Sequence, residues 1–100
     1  MDGKRYVAVV GCRHYFGGEI LRPGQVLRLV KEPDNPYDDE AIRVELPAVG
    51  RVGYLANSIH TVPRGCQSAG RIYDTFAEET TGTVRFVVGM TAIVEVGGEG

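Results

Sequence analysis

Seven consecutive residues, Glu32-Pro33-Asp34-Asn35-Pro36-Tyr37-Asp38, put a phenol ring and a carboxylate on a segment that contains two prolines. Proline fixes φ, and Asp34 and Asn35 can turn the chain by bonding side chain to backbone. A loop built this way holds Tyr37 and Asp38 in one place. The ring can then stack on a planar group, and the carboxylate can accept a hydrogen bond from a hydroxyl. The plainer reading is a stiff connector between strands. A second cluster, Gly11-Cys12-Arg13-His14-Tyr15-Phe16, sets a guanidinium, an imidazole and two aromatic rings side by side. Single-stranded nucleic acid asks for that mixture, because phosphates want charge and bases want π-faces. Its plainer reading leaves Tyr15 and Phe16 in the core and Arg13 in solvent.

Other chemistries find less support. Cys12-x-His14 and His60-x5-Cys66 supply four zinc-type ligands, but not at the spacing of a zinc module. Nothing in the sequence brings a Cys–His pair together for nucleophilic catalysis. An EF-hand fails because Pro36 falls inside the ligand run and Asp39 stands where the loop needs glycine. Asp34, Asp38 and Asp39 could chelate Mg²⁺ in a nuclease, yet clustered acids on a loop are usually solvated. There is no Walker loop, G-x-S-x-G, H-E-x-x-H or dinucleotide fingerprint. The expectation is a protein that is not an enzyme and takes no cofactor.

The elements that would position these residues are short. One hundred residues and 10.9 kDa suit one domain, expected over 1–96 with 97–100 as a flexible tail. The longest wholly apolar run is Val7 to Val10, too short for a membrane span or a signal-peptide core. Two cysteines fit a reduced, cytoplasmic setting and are expected to be unbridged. The formal charge is −2, but it is segregated: residues 1–31 carry four more cations than acids, 32–50 five more acids than cations, 51–73 three arginines and no acid, and 74–100 a net −4. Nine of the eleven cations are arginine, which forks onto phosphate and stacks on bases.

Tyr6 to Gly11 reads as a strand closed by glycine, and Pro23-Gly24 as a turn before a second strand, Gln25 to Lys31. Ala41 to Leu46 alternates, which predicts Ile42, Val44 and Leu46 inward with Arg43 and Glu45 outward. Pro47 to Gly50 turns the chain into Arg51 to Leu55. Ala69, Ile72, Tyr73 and Phe76 fall at helical spacing, with Ser68 as cap, predicting a short helix over 68–76. Asn57 to Thr61 suggests one more helical turn. Thr83–Val88 and Thr91–Val96 read as a closing hairpin around Gly89-Met90. The sum is a mainly β protein, an OB-like or SH3-like barrel of five to six strands with one or two short helices.

Four blocks taken together resemble the HIRAN domain: Val10 to Tyr15, Glu32 to Asp38, Ala41 to Val44 and Gly50 to Leu55. Their order and spacing fit, and the D-N-P-Y-D block joined to A-I-x-V is specific. Residues 56–100 are similar to the tail of short stand-alone bacterial members. The resemblance implies an OB-fold-like barrel and a role in gripping single-stranded DNA, notably its free 3′ end, as in DNA repair. Arg13 then meets phosphate, and His14 and Tyr15 occupy a pair that is typically aromatic. Tyr37 is the stacking ring, Asp38 accepts the terminal hydroxyl, and Tyr54 is a further contact after V-G. Gly11 and Asn35 belong to the same binding blocks. Asn57 stands where some members carry a lysine. The partner implied is single-stranded DNA, with a helicase or nuclease acting in trans and no membrane. The competing classes are a protein-interaction domain that keeps the fold without DNA, and the metal-dependent nuclease.

Overall fold

The structure, a computed structural model, describes residues 4–10, 21–58 and 60–97. Among these the chain forms β1 (Tyr6–Val10), β2 (Val26–Lys31), β3 (Ile42–Leu46), β4 (Gly50–Leu55), α1 (Ala69–Ile72), a 3-10 turn (Tyr73–Thr75), β5 (Glu79–Val88) and β6 (Thr91–Val96). Alternation sorts each strand into an inside and an outside. Ile42 and Val44 of β3 are fully buried and Leu46 packs against the core, while Arg43 and Glu45 lie on the outer face. β2 repeats the rhythm, burying Leu27 and Leu29 and exposing Val26 and Arg28. Val7, Val9, Val52, Val84 and Val94 join them in the interior.

The strands close into a barrel in the order β1-β4-β3-β2-β5-β6, each neighbour antiparallel, with β6 returning to β1. Closure removes the open edges that a flat sheet would present. The register shifts between Val44 and Glu45 and between Val84 and Phe86, and such bulges bend a strand locally. β5 starts at Glu79, four residues before the expected Thr83. The extra residues pair with β2 from Val30↔Glu79 to Leu27↔Gly82, and their polar sequence hides that pairing. The hairpin turn is at Gly89, whose φ is 61°, where a side chain would be strained.

The helix over 68–76 is shorter than its spacing implies. Ser68 caps it, accepting from the Arg71 N–H at 3.1 Å, but α1 ends at Ile72, the 3-10 turn follows, and Phe76 is extended with φ −149°. Lys31 anchors the segment beyond the helix. Its ammonium donates to the Phe76 carbonyl at 2.7 Å and lies 4.4 and 4.8 Å from the Tyr73 and Phe76 ring centroids. Both rings pack on the core from there. Asn57 to Thr61 forms no helix among its described residues. Thr61 and Val62 N–H groups donate to the Ser58 carbonyl at 2.9 and 3.0 Å, a single turn before Pro63. Cys66 is a free, half-buried thiol, and burial pushes its pKa up. Among the described residues no helix is long and apolar enough to cross a membrane.

Candidate functional site

The proline loop runs from the end of β2 to the start of β3. The Glu32 N–H donates to the Ala41 carbonyl at 2.9 Å, which closes the loop at its base. Asn35 does the internal work. Its N–H donates to the Glu32 carbonyl at 3.0 Å, and its Oδ1 accepts from the N–H groups of Tyr37 and Asp38 at 2.8 and 3.2 Å. That is the side-chain turn the sequence suggested. It leaves the Tyr37 side projecting, 93% exposed, and turns Asp38 back toward the barrel, half-buried.

Both Asp38 oxygens are already acceptors. Oδ1 takes the Glu40 N–H at 2.9 Å and Oδ2 takes Asn57 Nδ2 at 2.8 Å. The Asn57 amide is oriented by its other end, where Oδ1 accepts from the Gly70 N–H at 2.7 Å. A backbone N–H can only donate, so the amide must turn its NH₂ to Asp38 and hold that side chain as an acceptor. Gly70 permits this approach. A Cβ there would run into the Glu40 carboxylate and come within 3.2 Å of Asn57 Oδ1. A carboxylate has about four lone-pair directions, so acceptor capacity remains after both bonds.

The Glu32 carboxylate joins the loop to the barrel wall. Its Oε1 accepts from Asn35 Nδ2 and from the Tyr54 hydroxyl, each at 2.9 Å, and its Oε2 accepts from Arg43 Nη1 at 2.9 Å. Arg51 donates to the Tyr54 hydroxyl at 3.1 Å. Burial alone would raise the Glu32 pKa, but the hydrogen bonds from Asn35, Arg43 and Tyr54 outweigh it and hold it below the usual carboxylate range. Burial and the bond to Glu32 together raise the Tyr54 phenol. The network continues across the outer face, with Arg43 on Glu45 at 2.7 Å and Arg28 bridging Glu45 and Glu79 at 2.7 and 2.6 Å.

Between these walls lies a groove of about 410 Å³ lined by Asn35, Pro36, Tyr37, Asp38, Ala41, Tyr54 and Leu55. Four of the sequence-predicted site residues, Asn35, Tyr37, Asp38 and Tyr54, therefore share one surface. Gly11, Arg13, His14 and Tyr15 lie outside the described residues. The last described residue before them, Val10, is registered with Tyr54 at the groove wall. Two positioning roles escaped the sequence, those of Asn57 and Glu32. Asn57 gives no local signal of its bond to Asp38, and Glu32 stands inside the legible block without revealing that it binds Tyr54. Among the described residues no group of three or more His, Cys, Asp or Glu side chains is placed to hold a metal ion.

Comparison with known proteins adds relatives to this geometry. The family model of the HIRAN domain matches residues 2–64. The helicase-like transcription factors of Oryctolagus cuniculus and Mus musculus are 39% and 37% identical over 51 residues, 51% of this chain and 5% of each of those proteins. The chain thus corresponds to a small part of them. The crystal structure of the HIRAN domain of human HLTF is similar with a TM-score of 0.62 at 25% identity, over 94% of this chain and 74% of that one. A protein from Lactobacillus plantarum shares the fold, with a TM-score of 0.65 at 23% identity over 92% and 88% of the two chains.

Proposed function

The chain belongs to the HIRAN domain family, and on that premise we propose that it is a non-catalytic nucleic-acid-binding module whose groove takes the free 3′ end of single-stranded DNA. The observation that carries the reading is the pairing of an exposed Tyr37 ring with an Asp38 carboxylate held as an acceptor on the rim of one groove. A terminal base stacks on the ring, and the terminal hydroxyl donates to the carboxylate. Arg13, three residues after the strand end that pairs with Tyr54, supplies charge for the adjoining phosphate, and His14 and Tyr15 supply further stacking surface. Binding of this kind requires no bond to be made or broken. A helicase or nuclease working on the same DNA end is the partner class that fits.

The test is a titration with fluorescent single-stranded oligonucleotides ending in a 3′-hydroxyl or a 3′-phosphate. Tyr37→Ala is expected to weaken binding about tenfold or more, since one base–aromatic stack is worth about 1–3 kcal/mol. Arg13→Ala weakens binding and flattens its salt dependence, because one fewer phosphate is neutralised. Asp38→Ala removes the preference for the free hydroxyl, because a carboxylate repels phosphate and accepts from hydroxyl. Equal binding of both ends by the wild-type chain excludes the terminal-hydroxyl role. The second reading is a protein-interaction domain, favoured by the exposed apolar side chains Phe86, Val88 and Met90 on the β5–β6 hairpin. It prevails if no oligonucleotide binds at low salt.

A further inference from the structure

We infer that Glu32 is the positioning residue that locks the two walls of the groove together and thereby sets its affinity for the terminal nucleotide; the inference rests on the reading of the groove just given. One wall is the proline loop, whose shape Asn35 maintains. The other is Tyr54 on β4. The Glu32 side chain, 16% exposed, lies between them and is the group that both walls donate to.

The directions of these bonds leave position 32 little choice. The N–H groups of Tyr37 and Asp38 can only donate, so Asn35 must show them its Oδ1 and turn its NH₂ to Glu32. Arg43 also can only donate. Arg51 donates to the Tyr54 oxygen, and the phenol passes its own hydrogen to Glu32. Position 32 must therefore accept on both of its terminal atoms. A carboxylate does so. A glutamine of the same length sets an NH₂ against either Arg43 or the Asn35–Tyr54 pair. Aspartate keeps the charge but is one methylene shorter. With the lock intact the loop and the Tyr54 ring are ordered before the ligand arrives, so binding does not bear the cost of ordering them.

The experiment is a double-mutant cycle on the full chain, read by oligonucleotide affinity and by amide hydrogen exchange. Glu32→Gln is expected to weaken binding of a 3′-hydroxyl oligonucleotide about tenfold. In an Asn35→Ala background the same change has little further effect, because the lock is already broken there; residues in one hydrogen-bond network couple in this way. In Glu32→Gln the amides of Tyr37 and Asp38 exchange faster, while those of Leu29 and Val44 keep their protection. Tyr54→Phe removes a single hydroxyl and is expected to show part of the same loss, which serves if Glu32→Gln fails to fold. Wild-type affinity in Glu32→Gln, or effects of Glu32→Gln and Asn35→Ala that simply add, overturns the inference. If the wild-type chain binds no oligonucleotide, the reading of the groove is what fails. The exchange arm then decides the lock alone: faster exchange at Tyr37 and Asp38 upholds it, and unchanged exchange overturns it.

Discussion

At the scale of single residues the site is a chain of fixed donors ending on two carboxylates. Asn57 is a sensitive link because it joins the Gly70 backbone to Asp38. Asn57→Ala leaves a backbone donor unmatched and releases one Asp38 oxygen. A hydrogen bond to a charged group is worth about 1.5–3 kcal/mol, so a loss of that order in urea-unfolding stability is expected, together with a weaker preference for a free 3′ end. The Glu32 and Tyr54 pair makes a pH prediction with opposite signs. Glu32 has its folded pKa lowered, so its contribution to stability is present above its ordinary value of 4.5 and is lost as pH falls through the lower folded value. Tyr54 has its folded pKa raised, so its contribution is present below its ordinary value of 10.0 and is lost as pH rises through the folded value. Both groups face Arg51 as well as each other, and Glu32 also faces Arg43. Thermal melts of Glu32→Gln should flatten the acid limb of the stability profile, and those of Tyr54→Phe the alkaline limb.

At the scale of elements, short pieces are held by specific close approaches. Gly82 lets β5 pack closely against its neighbours in the barrel wall, since a Cβ there would come 2.5 Å from Val94 Cγ1 and 3.3 Å from the Glu95 carbonyl. Val94 is fully buried and cannot retreat into solvent. Gly82→Ala is therefore expected to cost about 1–3 kcal/mol, measured by chemical denaturation, as overpacked cores do. The cap on α1 is worth less. Ser68→Ala removes the side-chain acceptor of the Arg71 N–H, which keeps the Ser68 carbonyl at 3.1 Å, and should cost about 0.5–2 kcal/mol in the same assay. α1 is a single turn, so its stability comes from Ala69 and Ile72 in the core rather than from its own backbone bonds.

At the scale of the whole molecule, the barrel is thinnest, among the described residues, at one seam. β1 meets β4 through two registered pairs, Val9↔Leu55 and Val10↔Tyr54, whereas β1 meets β6 through four. The Ala56 N–H adds one bond, to the Ala8 carbonyl at 2.8 Å. Tyr54 and Leu55 also line the groove, so the seam and the site are the same place. Local opening takes the path with fewest interactions. Amide exchange is thus expected to be faster at Leu55 and Ala56 than at Leu29 and Val44, and a bound oligonucleotide should slow it at the seam first. Equal protection around the barrel would count against this.

The sequence alone determined the local matters. Period-two alternation settles which side of β3 faces inward, because side chains of a strand must point to opposite faces and only one face escapes water. Proline and asparagine chemistry over residues 32–38 dictates a rigid loop, since its bonds span two or three residues. Asn35, Tyr37 and Asp38 were legible on one loop for that reason, whereas Tyr54 was legible only through the resemblance of its block. The tertiary structure decided what depends on closure. Glu32 meets Tyr54 across 22 residues, Asp38 meets Asn57 across 19, and Asn57 meets Gly70 across 13. After the helix ends, Lys31, from a distant strand, holds the Phe76 carbonyl. None of these contacts leaves a periodicity, since each is set by which strands become neighbours when the sheet curls shut, and that is decided by burial summed over the whole chain.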